Sequence, residues 1–264
     1  MDSPANGMSR ERRDQELFDR IARRYARKDS CASSALARRN KLFSALKPIL
    51  EKSGTLGTMV DVGCGIGGPA KYLAGRYERY IGIDHSPELI ELARACHGDN
   101  PRAEFIAANI KSEGLPSRVA DVVLSDGALH HMSELDKVLE SLGRIAKPGA
   151  FIVVIEPQNA NPLIAVMRGA RKLLDPAYSR DQASFSWEDL RCLFLSAGIS
   201  DIAVDYQGFF STPFAEVVLF PQAVFIPLSR LAGALDRWLQ GKLPVALKKM
   251  SFNIVVSGHF PGGD

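Results

Sequence analysis

The sequence predicts an α/β fold in which a parallel sheet is linked by crossover helices. Three observations predict it. Apolar, strand-like runs alternate with helical periodicity from residue 58 onward. The first run ends at Val62 and opens into the closely spaced Gly63, Gly65, Gly67 and Gly68. The second run, Tyr80 to Asp84, passes straight into a helix start.

Taken in order, Leu17, Phe18, Ile21, Ala22 and Tyr25 form an apolar stripe at helical spacing, so residues 11–50 are expected to form two helices ahead of the sheet. Met59 and Val60 belong to the first strand, and residues 69–74 open the helix behind the glycines. Residues 80–84 are the second strand. In the helix that follows, Ser86 is the N-cap, Pro87 takes the first helical position, and Glu88 and Glu91 lie near the positive end. Residues 103–110 and 120–129 read as the third and fourth strands. Leu135, Val138, Leu139, Leu142 and Ile145 then share one helical face, Lys147, Pro148 and Gly149 stop that helix, and residues 151–155 form the fifth strand.

After residue 156 the rhythm changes. A polar "PQNANP" stretch precedes a helix expected near residues 163–174, and Ser186 with Asp189 forms a capping box for a helix ending at Gly198. "SDIAVDY" and "SFNIVVSGHF" read as two closing strands. The residues between them carry the apolar segment "PFAEVVLFPQAVFIPL".

A chain of 264 residues, 46% hydrophobic and 24% charged, can bury one generous core, or a core with a small cap. Its 33 basic and 30 acidic residues leave a formal charge of +3, without the field that advertises a nucleic-acid partner. "RIARRYARK" sits near Glu16 and Asp19 and reads as a solvated face. Cys31, Cys64, Cys96 and Cys192 form no C-x-x-C pair, and the five histidines show no ligand spacing, so neither a disulfide framework nor a metal site is expected. The opening "MDSPANGMSRERRDQ" lacks the apolar core of a signal peptide, and no run of about twenty apolar residues occurs, so a cytoplasmic location is expected.

The glycine run alone fits both G-x-G-x-x-G and G-x-G-x-G. Asp61, two residues before it, bears on the ligand. Beside the pyrophosphate of a dinucleotide a carboxylate adds repulsion of order 1 kcal/mol. A cationic ligand reverses that sign. S-adenosylmethionine carries an ammonium and a sulfonium, and its carboxylate can meet amides at the next helix start. Asp84 stands where an acid takes ribose hydroxyls in either nucleoside.

"VDVGCGIGG", "IGIDHSPELIELARA", "DVVLSDGALHHM" and "IAKPGAFIVVIEP" resemble, in order and spacing, the motifs of class I S-adenosylmethionine-dependent methyltransferases. Within that family they are most similar to the small-molecule enzymes grouped with quinone-biosynthesis C-methyltransferases. The resemblance covers residues 58–156, and "ELFDRIARRYARKD" is similar to the segment these enzymes fold over the cofactor. It implies a Rossmann-like, doubly wound, seven-stranded sheet with the last strand antiparallel. The implied division is an N-terminal helical cap over residues 1–57, a core over 58–207 and 251–264, and an apolar helical insertion over 208–250.

By the same resemblance Asp61, Gly63, Gly65 and Gly67 lie under the methionine portion of the cofactor, Asp84 binds the ribose diol, and His85 lies beside the adenine or ribose. Asn109, with Ile110 next to it, stands where the family often has an aspartate for the adenine amino group; an amide oxygen can accept the same hydrogen. Ser125 matches a position near the transferred methyl. "SDGA" replaces the tetrapeptide of enzymes that methylate nucleobase amines.

The reaction implied is in-line displacement at the sulfonium methyl by a small, apolar or lipid-like acceptor. His130 or His131 is a candidate general base, against a packing role, and Tyr25 a candidate closure over the methyl, against a core role. Glu156 contacts substrate or caps the following turn. The 208–250 insertion is a substrate lid, a peripheral membrane contact or an interface. Three other functions share parts of this pattern: a transfer-RNA methyltransferase, a non-catalytic S-adenosylmethionine-binding regulator, and a dehydrogenase, which Asp61 disfavours.

Overall fold

A computed structural model describes residues 10–158, 161, 185–240 and 242–262. The helix expected near residues 163–174 lies outside them. Seven strands form one sheet in the order β3-β2-β1-β4-β5-β7-β6.

Three helices precede it: α1 (Arg10–Ser30), α2 (Ala32–Ala45) and α3 (Lys47–Ser53). The sequence expectation was two. α1 and α2 are separated by extended backbone at Cys31, and α3 starts afresh because Pro48, in its first turn, has no N–H to continue α2.

β1 (Thr58–Val62) runs into the glycine turn and α4 (Gly68–Tyr72), and β2 (Arg79–Asp84) into α5 (Pro87–His97). The Ser86 hydroxyl accepts from the Leu89 amide, a cap worth about 1 kcal/mol. β3 (Ala103–Ala107) is shorter than expected. The Asn109 side chain accepts from the Lys111 amide at 2.9 Å and its carbonyl from Ser112 at 2.9 Å, which turns the chain off the sheet. β4 (Ala120–Asp126) also stops early, where Gly127 takes φ +68° and a 3-10 turn, Leu129–His131, follows.

The apolar face of α6 (Leu135–Ile145) packs on the sheet, and β5 (Ala146–Pro157) begins at once. The helix ends before Lys147, Pro148 and Gly149, as expected, and these residues already lie in the strand, because Ala146 pairs with Ala120 across a bulge in the ladder.

α7 (Trp187–Ser196) carries the expected capping box from Ser186 and Asp189 and leads to β6 (Ser200–Gln207). The insertion follows as α8 (Thr212–Glu216), α9 (Gln222–Leu239) and α10 (Val245–Lys248), and β7 (Asn253–His259) closes the sheet. β7 runs antiparallel to both β5 and β6, whereas β1 to β5 are mutually parallel.

One apolar cluster, with Val60, Ile81, Val123, Leu142 and Phe194, covers one face of the sheet. The other, with Leu46, Met59, Tyr80, Leu124 and Phe151, covers the opposite face. Strands buried on both faces read as the continuous apolar runs seen in the sequence. The crossovers leave β1 toward β2 and β4 toward β5, so the sheet's switch point lies between β1 and β4, at their carboxyl ends.

Candidate functional site

A crevice opens at that switch point. Its floor is glycine. Gly63 has φ +73°, and a methyl group there would sit 2.3 Å from Ala128 Cβ, so no side chain fits. Gly65, at φ +54°, donates its amide to Asp84 Oδ2 at 2.9 Å. Gly63 and Gly65 line the crevice. Gly67 is absent from its lining: it caps α4 at φ +74°, and a Cβ would meet the Phe105 ring at 2.5 Å.

Asp84 ends β2 with both carboxylate oxygens turned to backbone, Oδ2 toward Gly65 and Oδ1 toward the Ser86 amide at 3.0 Å. A carboxylate oxygen has a second lone pair, so Asp84 can still accept from a ligand hydroxyl. His85 lines the crevice beside it, with a buried Nε2 that has no hydrogen-bond partner among the described residues. Ala108, Asn109, Ile110 and Lys111 form the wall after β3.

Asp61 departs from the sequence expectation of a charge facing the ligand. Its side chain is buried beneath the turn, is absent from the crevice lining, and accepts from the Tyr80 hydroxyl at 2.5 Å. Burial pushes its carboxyl up to about 7, against the lowering effect of Tyr80 and with added repulsion from Asp126 and Asp84. The reason is strand alternation: Asp61 points to the face that holds Met59 and Tyr80, whereas Val62 points to the crevice.

Asp126, unremarked in the sequence, lines the crevice at the end of β4 and receives Lys41 Nζ of α2 at 2.6 Å, both side chains largely buried. Ser125, the sequence candidate, points away from the crevice, its hydroxyl fully buried and without a partner among the described residues.

α1 lies across the opening and contributes Glu11, Asp14 and Phe18 to it. Glu11 accepts from Lys111 Nζ at 2.7 Å, Ser133 Oγ at 2.6 Å and Asn109 Nδ2 at 3.3 Å. Burial raises the Glu11 carboxyl, but these bonds outweigh it and leave it below the ordinary value. Ser86 donates its hydroxyl to Asp19 further along the helix. Phe18 sets its edge against His85 and His131, with centroids 6.2 and 5.0 Å away. Tyr25 belongs to α1, but its side chain lies outside the described residues.

The two histidine candidates part company. His131 lines the crevice; burial lowers its pKa, against an opposing contribution from Asp14, whose Oδ2 lies 3.6 Å from His131 Nδ1. His130 is buried behind it, with Nδ1 2.6 Å from Glu156 Oε2, and the rings lie 4.1 Å apart. Glu156 is fully buried and also accepts from the Leu129 amide at 2.8 Å, so it fixes the 3-10 turn that presents His131.

Among the described residues of 208–250, none lines the crevice. A second, smaller pocket lies between α2, the end of β6 and the insertion, and Lys41 lines it. The Lys41–Asp126 ion pair therefore stands between the two cavities. Among the described residues no group of His, Cys, Asp or Glu could hold a metal ion.

The donor set suits a cationic nucleoside: glycine turn, strand-end acid, orphaned imidazole nitrogen and several carboxylates are gathered at one opening. Comparison with known proteins agrees. Residues 60–154 match the family model described as a methyltransferase domain. The chain is 32% identical over 101 residues to the ajmaline N-methyltransferase of Rauvolfia serpentina, covering 37% of this chain and 35% of that protein. It is 34% identical over 100 residues to the 2-methyl-6-phytyl-1,4-hydroquinone methyltransferase of Synechocystis, covering 38% and 31%. The chain thus spans about a third of the length of these curated relatives.

Among solved structures, a Thermotoga maritima S-adenosylmethionine-dependent methyltransferase, described as a possible histamine N-methyltransferase, superposes with a TM-score of 0.62 at 17% identity, covering 92% of this chain and 98% of that one. The fold is an α/β domain with an antiparallel closing strand. Residues 60–154 thus match a methyltransferase domain, in a fold shared with S-adenosylmethionine-dependent methyltransferases.

Proposed function

We propose that the protein transfers a methyl group from S-adenosylmethionine to a small, apolar acceptor. The observation that supports this most is the crevice itself, a glycine floor ringed by Asp84, Asp126 and Asp14 with α1 fastened across it. When bound, S-adenosylmethionine supplies an activated methyl group on a cationic sulfur.

The chain's own residues do the rest. Asp84 receives the ribose hydroxyls, and His85 and Asn109 border the base. Gly63 and Gly65 let the backbone approach the methionine portion. The negative ring favours a cation over a pyrophosphate by Coulomb energy alone, about 1 kcal/mol or more per close charge. α1 excludes water and holds both reactants in line, and positioning of this kind contributes several kcal/mol to the rate.

His131 is the proton acceptor where the acceptor atom carries a proton. Its lowered pKa leaves it neutral at pH 7, as a base requires. His130 and Glu156 position it. The acceptor enters from the side of Lys41, where the second pocket meets the ion pair with Asp126. The hydroquinone substrate in the name of the Synechocystis relative supports an apolar acceptor.

Two measurements test the reading. Calorimetry is expected to show S-adenosylmethionine binding and no competition from NAD(H). Labelled S-adenosylmethionine incubated with host lipid extract is expected to yield one labelled apolar product by mass spectrometry. Preference for NAD(H), or label confined to bulk transfer RNA, overturns it.

A further inference from the structure

α9 has two faces, and only one of them is covered. Ser229, Ala232 and Gly233 are buried on the inner face, where the Ser229 hydroxyl donates to the Ser33 carbonyl of α2 at 2.9 Å. Gln240, just past the helix, accepts from the Ser44 hydroxyl at 3.0 Å. These contacts, one in mid-helix and one just past its end, fix the helix rotation.

Val224, Leu228, Leu231, Leu235 and Trp238, spaced alternately four and three residues apart, therefore form a continuous stripe facing away from the protein. All five are exposed, Trp238 at 60%. Phe220, 72% exposed, extends the stripe before the helix, and Leu247 and Met250 extend it beyond. Single exposed apolar side chains are ordinary; a helix-long row of them marks an interaction surface.

The charge around the stripe selects the occupant. Residues 217–250 contain five bases, Arg230, Arg237, Lys242, Lys248 and Lys249, and a single acid, Asp236. Asp236 is already committed, accepting from the Phe210 and Ser211 amides at 2.9 and 3.0 Å. Lys242 Nζ sits 4.4 Å over the Trp238 ring, so a cation and an amphipathic aromatic share one edge of the apolar face.

A second copy of the chain would bring Arg230 and Arg237 toward their own counterparts, with no uncommitted carboxylate on this segment to answer them. Anionic headgroups over a hydrocarbon layer match both the bases and the stripe. No described helix is long and apolar enough to cross a membrane, so α9 would lie in the interface.

We infer that α9 and its flanks form a peripheral binding face for an anionic lipid bilayer. The inner side of α9 rests on α2, which carries Lys41 to the wall between the two cavities, so a lipid-soluble acceptor would have a short path from the bilayer. The inference stands on the exposed stripe and its charges, independently of methyl transfer.

The test is flotation of the full chain with phosphatidylcholine vesicles, with and without phosphatidylglycerol. Emission is recorded in a Trp187→Phe variant, which leaves Trp238 as the sole tryptophan. Co-flotation with the anionic vesicles and a blue shift of Trp238 emission are expected. Leu228→Ser combined with Leu231→Ser should weaken binding about tenfold, with the melting temperature unchanged because both side chains are exposed. Three results overturn the inference: no association at low salt, association that the double variant leaves intact, or a dimer in sedimentation velocity that the double variant returns to monomer. S-adenosylmethionine affinity measured on the same samples separates a failure here from a failure of the proposed reaction.

Discussion

The crevice and the insertion are unusual in opposite ways. Around the crevice, acids are buried: Asp84 in its wall, and Asp61 and Glu156 behind it, are nearly or fully inaccessible, and each accepts hydrogen bonds from named partners. In the insertion, apolar surface is exposed, from Phe220 to Met250. Buried charge costs several kcal/mol per group unless it is paired, so every carboxylate at the sheet end is tied to a defined geometry. Exposed leucine meets no such demand, and its position is set only by what the opposite helix face packs against. The two regions thus present opposite surfaces, polar groups held in fixed geometry around the crevice and apolar side chains turned outward on the insertion.

Removing the strand-end acid strikes the crevice hardest. Asp84→Ala takes away the acceptor for the Gly65 and Ser86 amides as well as for a ribose diol. Charge-assisted bonds of this kind contribute about 1.5–3 kcal/mol each, so S-adenosylmethionine affinity should fall by about a hundredfold or more in calorimetry. Asp84→Asn, which keeps one acceptor oxygen, should fall less. Equal affinity in parent and alanine variant would remove Asp84 from the site.

The second prediction concerns the charge beneath the turn and is read in stability. With its pKa raised from 3.8 to about 7, Asp61 holds a proton in the folded chain that it loses in the unfolded one. Between those values the folded state binds more protons, so this group's contribution to stability falls as pH rises and its cost is complete above about pH 7. Asp61→Asn, whose oxygen can still accept from Tyr80, should therefore match the parent near pH 4 and exceed it at pH 8, by a few kcal/mol at most. Melting curves across that range check the sign; parallel curves at every pH would show that Asp61 is not the titrating group.

How much of this was legible in the sequence differs between the regions for the same physical reason. Strands buried on both faces, the Ser86 cap and the Ser186–Asp189 capping box are local patterns, and all appear in place. Gly63, Gly65, Asp84, His85, Asn109 and Ile110 were legible because the turn and strand ends that bring them together follow each other along the chain. Asp61 was visible as an acid, but its facing depends on pleat alternation against Tyr80, which the motif does not express. Asp126 could have been found as a second acid at a strand end. Lys41 and Glu11 could not, because they meet partners far away in sequence, Asp126 at a separation of 85 and Lys111 at 100. The apolar segment of the insertion was visible as composition, but its outward stripe only emerges once α2 fixes the rotation of α9.

The smallest expected effect lies where the N-terminal helix crosses the crevice, and it sharpens the comparison because Glu11 of α1 lines the crevice while remaining partly exposed. Glu11→Gln keeps an oxygen for Ser133 but removes the ionic part of the bond to Lys111. The two side chains are 26% and 16% exposed, so the pair is partly shielded and should be worth about 1 kcal/mol. S-adenosylmethionine affinity should then weaken about fivefold, while the melting temperature barely moves, because the rest of α1 stays anchored through Ser86 and Asp19. Amide hydrogen exchange in the first turns of α1 should quicken in the variant and slow again when the ligand is added. If exchange is unchanged but affinity falls, Glu11 contacts the ligand directly and α1 is a wall of the site instead of a latch.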